Sequence, residues 1–260
     1  MCARFLRLAA VMLVASSFAC LMVPAVAADL THTITAIKPS IVAVGTFQKT
    51  RSPAVVFFGT GFAVDDGLTI ITNAHVVAHP VNTEQLESLG VLVGSEGSTE
   101  FRSAVVVATD REHDLARLRI TGAPLPVLRI GDSSQVQEGQ SMAFTGFPLG
   151  MVLGFTKVTH RGMISSITPI VKPALNSSRL DPKSIVQLQK SAYGVFQLDG
   201  TAYPGNSGSP LYDTDSGVVY GIINMVFVKG LKETAISQPS GIAYAIQSNY
   251  IRSLIDQKPQ

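Results

Sequence analysis

Gly205-Asn206-Ser207-Gly208-Ser209-Pro210 is the stretch that decides how this chain is interpreted. It holds a serine between two glycines, in a segment with neither helical nor strand periodicity. A serine hydroxyl becomes a good nucleophile only beside a base, with backbone N–H groups aimed at the developing oxyanion. Gly205 can take a backbone conformation closed to other residues, which would let its N–H and that of Ser207 point at one spot. Alone, such a stretch is more often a plain turn.

Two upstream segments supply the other groups that a serine nucleophile needs. A β-branched run that reaches Ile71 predicts a buried strand, and it leads to His75. Asp114 directly precedes an alternating strand that runs from Leu115 to Ile120. The chain order is therefore His, Asp, Ser. This order excludes the α/β-hydrolase arrangement, which runs Ser, acid, His, and it matches the order of the chymotrypsin-type β-barrels.

Several short motifs occur in the order that one protease family uses. The chain resembles trypsin-like serine proteases of the Deg/HtrA type over roughly residues 35–255. The matching stretches are GTGFAV (59–64), TNAHVV (72–77), DLA (114–116), GDS (131–133), GFPLG (146–150), GNSG (205–208) and GIAYAI (241–246). The resemblance implies that His75 is the general base, Asp114 the acid that orients it, and Ser207 the nucleophile. It also implies an oxyanion hole at the backbone of Gly205 and Ser207.

The start of the chain has the features of an export signal. Arg4 and Arg7 precede a long apolar stretch, and Ala25-Val26-Ala27 is a small-x-small cleavage site. We therefore expect residues 1–27 to be a secretory signal peptide. A retained membrane anchor and lipidation at Cys20 are the alternatives. The apolar stretch is barely long enough to span a membrane, and the residues before Cys20 match a lipidation site poorly.

The amino-acid composition excludes several classes of binding partner. The 260 residues are 46% hydrophobic and 15% charged, which excludes a disordered chain. Cleavage would remove both cysteines and two of the 20 basic residues, leaving as many basic residues as the 18 acidic ones. We therefore expect no nucleic acid as partner, no metal or other cofactor, and no stable membrane span after cleavage. An exported chain without disulfides is typical of bacterial periplasmic proteins, so the expected location is periplasmic or secreted.

Short strands with turn signals run through the predicted mature chain. Two sets of about six strands suggest an all-β fold of two antiparallel barrels or a sandwich, and the resemblance decides for chymotrypsin-like barrels. The predicted N-terminal barrel, residues 28–130, carries His75 and Asp114. The predicted C-terminal barrel, residues 131–260, carries Ser207.

Helix signals are few. We expect a short helix at residues 31–38, stopped by Pro39, and a C-terminal helix with Ser248 as its N-cap. The apolar stripe of the second helix is expected to pack on the second barrel. Residues 167–193 lack a pattern and predict a long loop near the active site. The residues after the protease region show no PDZ-like pattern, so we expect a departure from the usual Deg/HtrA arrangement.

The resemblance also places the pocket for the side chain that precedes the scissile bond. Its predicted lining is Thr201, Ile222, Ile223 and Met225, all uncharged. A pocket for Arg or Lys would need a buried acid, so we expect cleavage of polypeptides after small or medium aliphatic residues. Asp199 is interpreted as a support for the serine loop.

Two questions stay open at this point. Asp110 competes with Asp114 as the acid, although Asp114 stands where the family places it, directly before a Leu-Ala strand. The favoured function is an exported serine endopeptidase that forms an acyl-enzyme. The alternatives are a protease-fold chaperone or scaffold with a latent or inactive site, and a secreted hydrolase of esters or peptidoglycan.

Overall fold

The computed structural model describes residues 30–95, 98–150, 154–170, 193–224 and 241–257. The predicted signal peptide lies outside these ranges. A helix at Leu30–Ile37 opens the described chain and a helix at Ser248–Asp256 closes it. The strands between them are β1 Ile41–Phe47, β2 Val55–Val64, β3 Thr69–Asn73, β4 Ser88–Ser95, β5 Ser98–Asp110, β6 Leu115–Ile120, β7 Ser141–Gly146, β8 Val158–Ile170, β9 Tyr193–Asp199, β10 Pro210–Asp213, β11 Val219–Asn224 and β12 Ile242–Gln247.

These strands close into two antiparallel barrels of six strands each. The first barrel has the order β1-β2-β3-β6-β5-β4, and the second has the same order, β7-β8-β9-β12-β11-β10. The all-β class and the two six-stranded barrels predicted from the sequence are confirmed.

The tight turn between β2 and β3 shows how the local sequence directs the chain toward His75. Asp66 Oδ1 accepts a hydrogen bond from the Leu68 N–H at 3.0 Å, which closes the turn. Gly67 has a φ of 76°, and a Cβ there would lie 2.3 Å from the Leu125 carbonyl oxygen, so only glycine fits. The β3 strand that follows is buried at all five residues, which fixes the position of the turn that carries His75.

Buried apolar side chains form one core in each barrel and a third between the barrels. The first barrel encloses Val42, Val44, Ala63, Ile70, Val91 and Leu118. The second encloses Met142, Phe144, Ile164, Phe196, Leu198 and Leu211. The third core joins β1, β2, β3 and β6 of the first barrel to β10 and β11 of the second through Ile41, Phe62, Ile71, Leu115, Tyr212, Val219 and Ile222. Close packing of these side chains therefore holds the two barrels together.

The C-terminal helix differs from expectation in its N-cap residue and in its packing. Gln247, not Ser248, is the N-cap residue, and it makes no side-chain cap. The Ser248 hydroxyl instead donates to the Gly131 carbonyl at 2.8 Å and holds the connection between the barrels. The helix also contacts both barrels rather than the second alone, because it packs against β5 and β6 as well as β11 and β12.

Two further boundaries differ from expectation. The N-terminal helix ends at Ile37, where a 3₁₀ turn at Lys38–Ser40 takes over. The β8 strand runs to Ile170, so the first residues of the expected 167–193 loop belong to a strand, and residues 171–192 lie outside the described ranges. None of the helices within those ranges has the length and hydropathy of a membrane-crossing segment.

Candidate active site

The His75 ring and the Asp114 carboxylate form a tight pair on the first barrel. The β3 strand ends at Asn73, and a 3₁₀ turn at Ala74–Val76 presents the histidine. His75 Nδ1 lies 2.6 Å from Asp114 Oδ2, and the His75 backbone N–H donates to Asp114 Oδ1 at 2.9 Å. With its proton on Nδ1 the ring donates to the carboxylate, and Nε2 is left as the basic nitrogen.

Asp114 is held from several directions. Its φ is 53°, an uncommon left-handed conformation at the turn before β6. Its carbonyl oxygen accepts hydrogen bonds from the Ala74 N–H at 3.0 Å and from Asn73 Nδ2 at 3.1 Å. These bonds tie the acid to the turn that carries His75, so the pair is fixed by backbone as well as side-chain contacts.

Asn224 is a site residue that the sequence interpretation missed. Its Nδ2 donates to Asp114 Oδ2 at 2.7 Å, across from the second barrel, and its side chain is fully buried. The β11 strand reads VYGIIN, and an asparagine that ends an apolar buried strand is the signal that could have identified it. A buried amide requires hydrogen-bond partners, and here one partner is the candidate catalytic acid.

Asp110, the competing acid, is engaged by a different histidine. His113 Nδ1 lies 2.6 Å from Asp110 Oδ2, and the His113 backbone N–H donates to Asp110 Oδ1 at 3.0 Å. Burial alone would raise the pKa of Asp110, but the hydrogen bonds from His113 and the ring's charge together lower it. Asp110 therefore forms a second pair beside the first, and Asp114 alone faces His75.

The serine segment lies between β9 and β10 and is bonded to both barrels. The Thr60 N–H donates to the Ser207 carbonyl at 2.8 Å, and Thr60 Oγ1 donates to the Gly205 carbonyl at 2.8 Å. On the other side, the Gly208 N–H donates to the Ile223 carbonyl at 3.0 Å. The β2 strand of the first barrel thus positions the backbone of the candidate nucleophile.

The peptide between Pro204 and Gly205 has a fixed orientation. Gly205 has a φ of 99°, and a Cβ there would lie 2.3 Å from the Phe147 carbonyl oxygen. The Leu149 N–H donates to the Pro204 carbonyl at 2.7 Å. Because the C=O and N–H of a trans peptide point in opposite directions, this bond turns the Gly205 N–H away from Leu149. Within the described ranges, the N–H groups of Gly205 and Ser207 donate no hydrogen bond, as an oxyanion hole requires.

Ser207 lies beside the His75 turn without a hydrogen bond between the two side chains in the described part of the chain. Gly59 separates the two segments: a Cβ there would lie 2.7 Å from Val76 Cγ2 and 2.8 Å from the Ser207 carbonyl oxygen. The bond between nucleophile and base is often long in unliganded sites and shortens with substrate. The structure therefore brings the backbone of Ser207 next to the turn that carries His75 and its partner Asp114.

The predicted pocket residues occupy different environments. Thr201 is half-buried, and Ile222 and Ile223 have no exposed surface. Any contact of these two isoleucines with a substrate would therefore come from the backbone of β11. Met225 lies outside the described ranges, and Asp199 is exposed at the end of β9. The apolar pocket stays a prediction.

Comparison with known proteins decides the family. The model of the trypsin-like peptidase domain matches residues 59–222, which hold all three predicted site residues. The chain belongs to the trypsin-like peptidase family. Its resemblance to the Deg/HtrA type is confirmed as well.

Two curated relatives illustrate the likeness. The mitochondrial serine protease HTRA2 of Drosophila willistoni is 30% identical over 204 residues, which are 78% of this chain and 39% of the relative. A probable periplasmic DegP-like serine endoprotease of Halomonas elongata is 30% identical over 200 residues, which are 76% of this chain and 34% of the relative. The chain thus spans between a third and two fifths of the length of these relatives.

Solved structures share the fold at low identity. The HtrA-type protease AlgW with a decapeptide has a TM-score of 0.63 at 21% identity, covering 88% of this chain and 68% of that one. The active form of a protease from M. tuberculosis has a TM-score of 0.62 at 21% identity, covering 88% of this chain and 86% of that one. The two barrels of this peptidase family member are therefore those of HtrA-type proteases.

Proposed function

We propose that this member of the trypsin-like peptidase family is an exported serine endopeptidase, with His75, Asp114 and Ser207 as its catalytic residues. The observation that carries the proposal is the bidentate pairing of His75 with Asp114, at 2.6 Å and 2.9 Å, opposite a serine loop bonded to the same barrel. The names of the curated relatives, serine protease and serine endoprotease, support this activity.

The reaction begins with the Ser207 hydroxyl. Its Oγ attacks the carbonyl carbon of the scissile peptide bond while His75 Nε2 takes the hydroxyl proton. Asp114 accepts a hydrogen bond from Nδ1, which fixes the tautomer and stabilises the imidazolium that forms. Asn224 donates to the same carboxylate oxygen, so it positions Asp114 without touching the reacting atoms.

The backbone of the serine loop stabilises the charge that develops on the substrate. The N–H groups of Gly205 and Ser207 donate to the oxyanion, and His75 then gives its proton to the leaving amine. Water attacks the acyl-enzyme on Ser207 by the same route in reverse and releases the second product. No step requires a metal, and no group of acids, histidines or cysteines within the described ranges is arranged to hold one.

A fluorophosphonate probe tests this proposal, because it labels only an activated serine. We expect stoichiometric labelling of the wild-type protein at Ser207 and no labelling of Ser207→Ala or His75→Ala. Ser134, an exposed serine, offers a matched control, and Ser134→Ala should be labelled like the wild type. Labelling that survives Ser207→Ala would disprove the assignment. The alternative of an inactive chaperone or scaffold is not favoured, and an unlabelled wild-type protein would restore it.

For specificity we propose an apolar primary pocket that prefers small or medium aliphatic residues. The support is the sequence prediction of an uncharged lining, to which the fully buried Ile222 and Ile223 can contribute only their backbone. An apolar pocket gains only about 1–3 kcal/mol per matched methylene. It cannot offset the loss of hydration of Lys or Arg without a buried acid. A peptide library should therefore show cleavage after Val, Ala or Ile. A dominant preference for Arg or Lys would mean that an acid faces the pocket.

For location we propose export to the periplasm and removal of residues 1–27. The sequence features of the N-terminus support this, as does the DegP-like relative described as periplasmic, whereas another relative is described as mitochondrial. Intact-mass measurement of the protein from its native host should give an N-terminus at Ala28 or Asp29. A mature mass that still includes Met1 to Val26 would favour a retained anchor.

A further inference from the structure

A cavity of about 750 Å³ lies on a part of the molecule that the proposed reaction does not use. It is open to solvent on one side and is lined by the N-terminal helix, β4, the connection between the barrels and the segment before β8. Most of its lining is apolar, including Ile34, Val93, Leu125 and Phe155. Its volume is within the range of small-molecule binding sites, which is roughly 300–1,000 Å³.

Two lysines carry the charge among the described residues that line this cavity. They are Lys38 and Lys157, and the described part of the lining contains no acid. Lys157 Nζ donates to the Lys38 carbonyl at 2.8 Å, and no other residue of the described part of the chain accepts a hydrogen bond from it. Within the described ranges neither lysine forms an ion pair. Burial, and then the charge of Lys38, lower the pKa of Lys157 to about 8, so the group is still mostly protonated at pH 7.

We propose that this cavity is a binding site for a small amphiphilic carboxylate. The apolar chain of the ligand fills the space between Ile34, Leu125 and Phe155, and its carboxylate pairs with Lys157 and Lys38. A neutral apolar molecule would leave the half-buried Lys157 ammonium without a counter-ion. A small anion would leave the apolar lining of the cavity exposed to water. A fatty acid carries this combination of groups, and so does the C-terminal apolar residue of a peptide.

An aromatic contact connects the cavity with the serine loop. The rings of Phe155 and Phe57 meet edge to face with centroids 6.2 Å apart. A Cβ on Gly205 would lie 2.9 Å from Phe57 Cε1, so Phe57 packs directly against the candidate oxyanion hole. The second part of the proposal rests on the proposed function: a ligand that displaces Phe155 changes kcat through Phe57.

Calorimetric titration of the Ser207→Ala protein with decanoate tests the first part independently of catalysis. We expect one site per chain at pH 7, about tenfold or more weaker in Lys157→Met, because a charge-assisted pair is lost. Lys49 is exposed on a turn, and Lys49→Met, which removes the same charge, should leave Kd within about twofold. Absence of binding, or equal binding by the three proteins, would overturn the site.

Matched ligands show whether both the apolar chain and the carboxylate are needed, and whether a fatty acid or a peptide C-terminus binds better. Decanol and acetate should each bind about tenfold or more weaker than decanoate, because each lacks one half. Acetyl-Leu-Val-Phe with a free carboxylate, compared with its amide, shows whether a peptide terminus also serves. Preference for decanoate identifies a fatty acid as the source, and preference for the free peptide identifies a C-terminus. Equal affinity for decanol and decanoate would overturn the proposal.

The pH dependence provides a further check, because Lys38 is the only other ionisable residue in the described part of the lining. Above the Lys157 pKa of about 8 the free protein must take up a proton to bind the carboxylate. Decanoate affinity should therefore fall by up to about tenfold per pH unit above pH 8. Affinity that stays constant from pH 7 to pH 10 would contradict pairing with Lys157.

The regulatory part is tested on the active protein with a peptide substrate. Decanoate should change kcat by about twofold or more, with a midpoint equal to its calorimetric Kd. In Lys157→Met the midpoint should shift to higher decanoate concentration by the same factor as Kd. Binding without any change in kcat would overturn the regulatory part and leave the binding site standing. A protein without peptidase activity would contradict the proposed function, whereas the calorimetric result would still stand.

Discussion

The two aspartates of the β5–β6 hairpin lie four positions apart in the sequence and pair with different histidines. Asp114 pairs with His75 and also accepts a hydrogen bond from Asn224. Asp110 pairs with His113 in the same geometry, with backbone and ring nitrogens on the two carboxylate oxygens. At the scale of single residues, a substitution of Asp114 can therefore be compared with the same substitution of Asp110 as a matched control.

Asp114→Asn should lower kcat by about four orders of magnitude while the protein stays folded. The amide cannot accept the Nδ1 proton in the same way, so the ring is held in the wrong tautomer for a base. Asp110→Asn should keep kcat within about threefold, because His113 is not at the candidate site. Steady-state kinetics on one peptide substrate compares the two variants. Equal losses in both would contradict the assignment of Asp114.

Lys157→Met should stabilise the protein at pH 7, and the gain should fade toward pH 10. The pKa of Lys157 is about 8 in the folded protein, against 10.5 normally. Below pH 8 the folded protein holds a charge in a poorly hydrated place. Between pH 8 and 10.5 the unfolded chain binds a proton that the folded protein does not, so wild-type stability rises with pH. Denaturant unfolding at both pH values measures the difference, and the exposed Lys49→Met should show none.

At the scale of elements, the serine loop is a backbone structure more than a set of side chains. Hydrogen bonds from Thr60 and Gly208 hold its two ends, and the Leu149 N–H sets the orientation of the Pro204–Gly205 peptide. The N–H groups of the candidate oxyanion hole depend on that orientation. A change at Gly205 should therefore affect the reaction rate before it affects the fold.

Gly205→Ala should lower kcat by about a hundredfold or more, the loss expected when an oxyanion donor is misplaced. A Cβ there would lie 2.3 Å from the Phe147 carbonyl oxygen, which forces the peptide to move. Gly154 has a positive φ of 76° with nothing within 4 Å of a Cβ, so Gly154→Ala carries similar backbone strain without the clash. The rate of peptide hydrolysis and the melting temperature should be measured for both variants, to separate an effect on catalysis from an effect on stability. A melting temperature lowered alike with kcat unchanged in both would contradict the role of Gly205.

The sequence predicted the strands and the barrels well, because period-two patterns and turn residues are local signals and the family motifs fixed their order. It did not predict the role of Ser248, because a serine before an apolar stripe is a typical N-cap and the Gly131 carbonyl that it binds lies 117 residues away. The role of Asn224 was not predicted for the same reason, since Asp114, which it contacts, lies 110 residues away in the sequence. The pairing of His75 with Asp114 is seen, and the catalytic roles stay predictions.

At the scale of the whole molecule, the C-terminal helix connects the two barrels. Arg117 on β6 is buried, and its guanidinium donates to the carbonyl oxygens of Ile255 and Gln257 at the end of that helix. These are carbonyls that a helix cannot satisfy internally. The first barrel therefore caps a helix whose other side packs on the second barrel.

Arg117→Met should lower the free energy of unfolding by about 1–3 kcal/mol, because two carbonyls lose their donor while the apolar stem is kept. Arg119 lies two residues further along β6, is exposed and pairs with Asp66, and Arg119→Met should change stability by less than about 1 kcal/mol, as expected for an exposed ion pair. Denaturant unfolding gives both values, and amide hydrogen exchange in residues 248–256 shows whether the helix loosens first. Unchanged exchange there in Arg117→Met would contradict the capping role.

Because β1 to β6 are contiguous in the chain, a ribosome completes the first barrel before it adds β7. Ser207 follows Asp114 by 93 residues along the chain. At about 5–20 residues per second, synthesis of this stretch takes roughly 5–19 s. During that interval, under the proposed mechanism, the nascent polypeptide carries a base and its acid but no nucleophile. It therefore cannot digest neighbouring nascent chains until translation has supplied the second barrel.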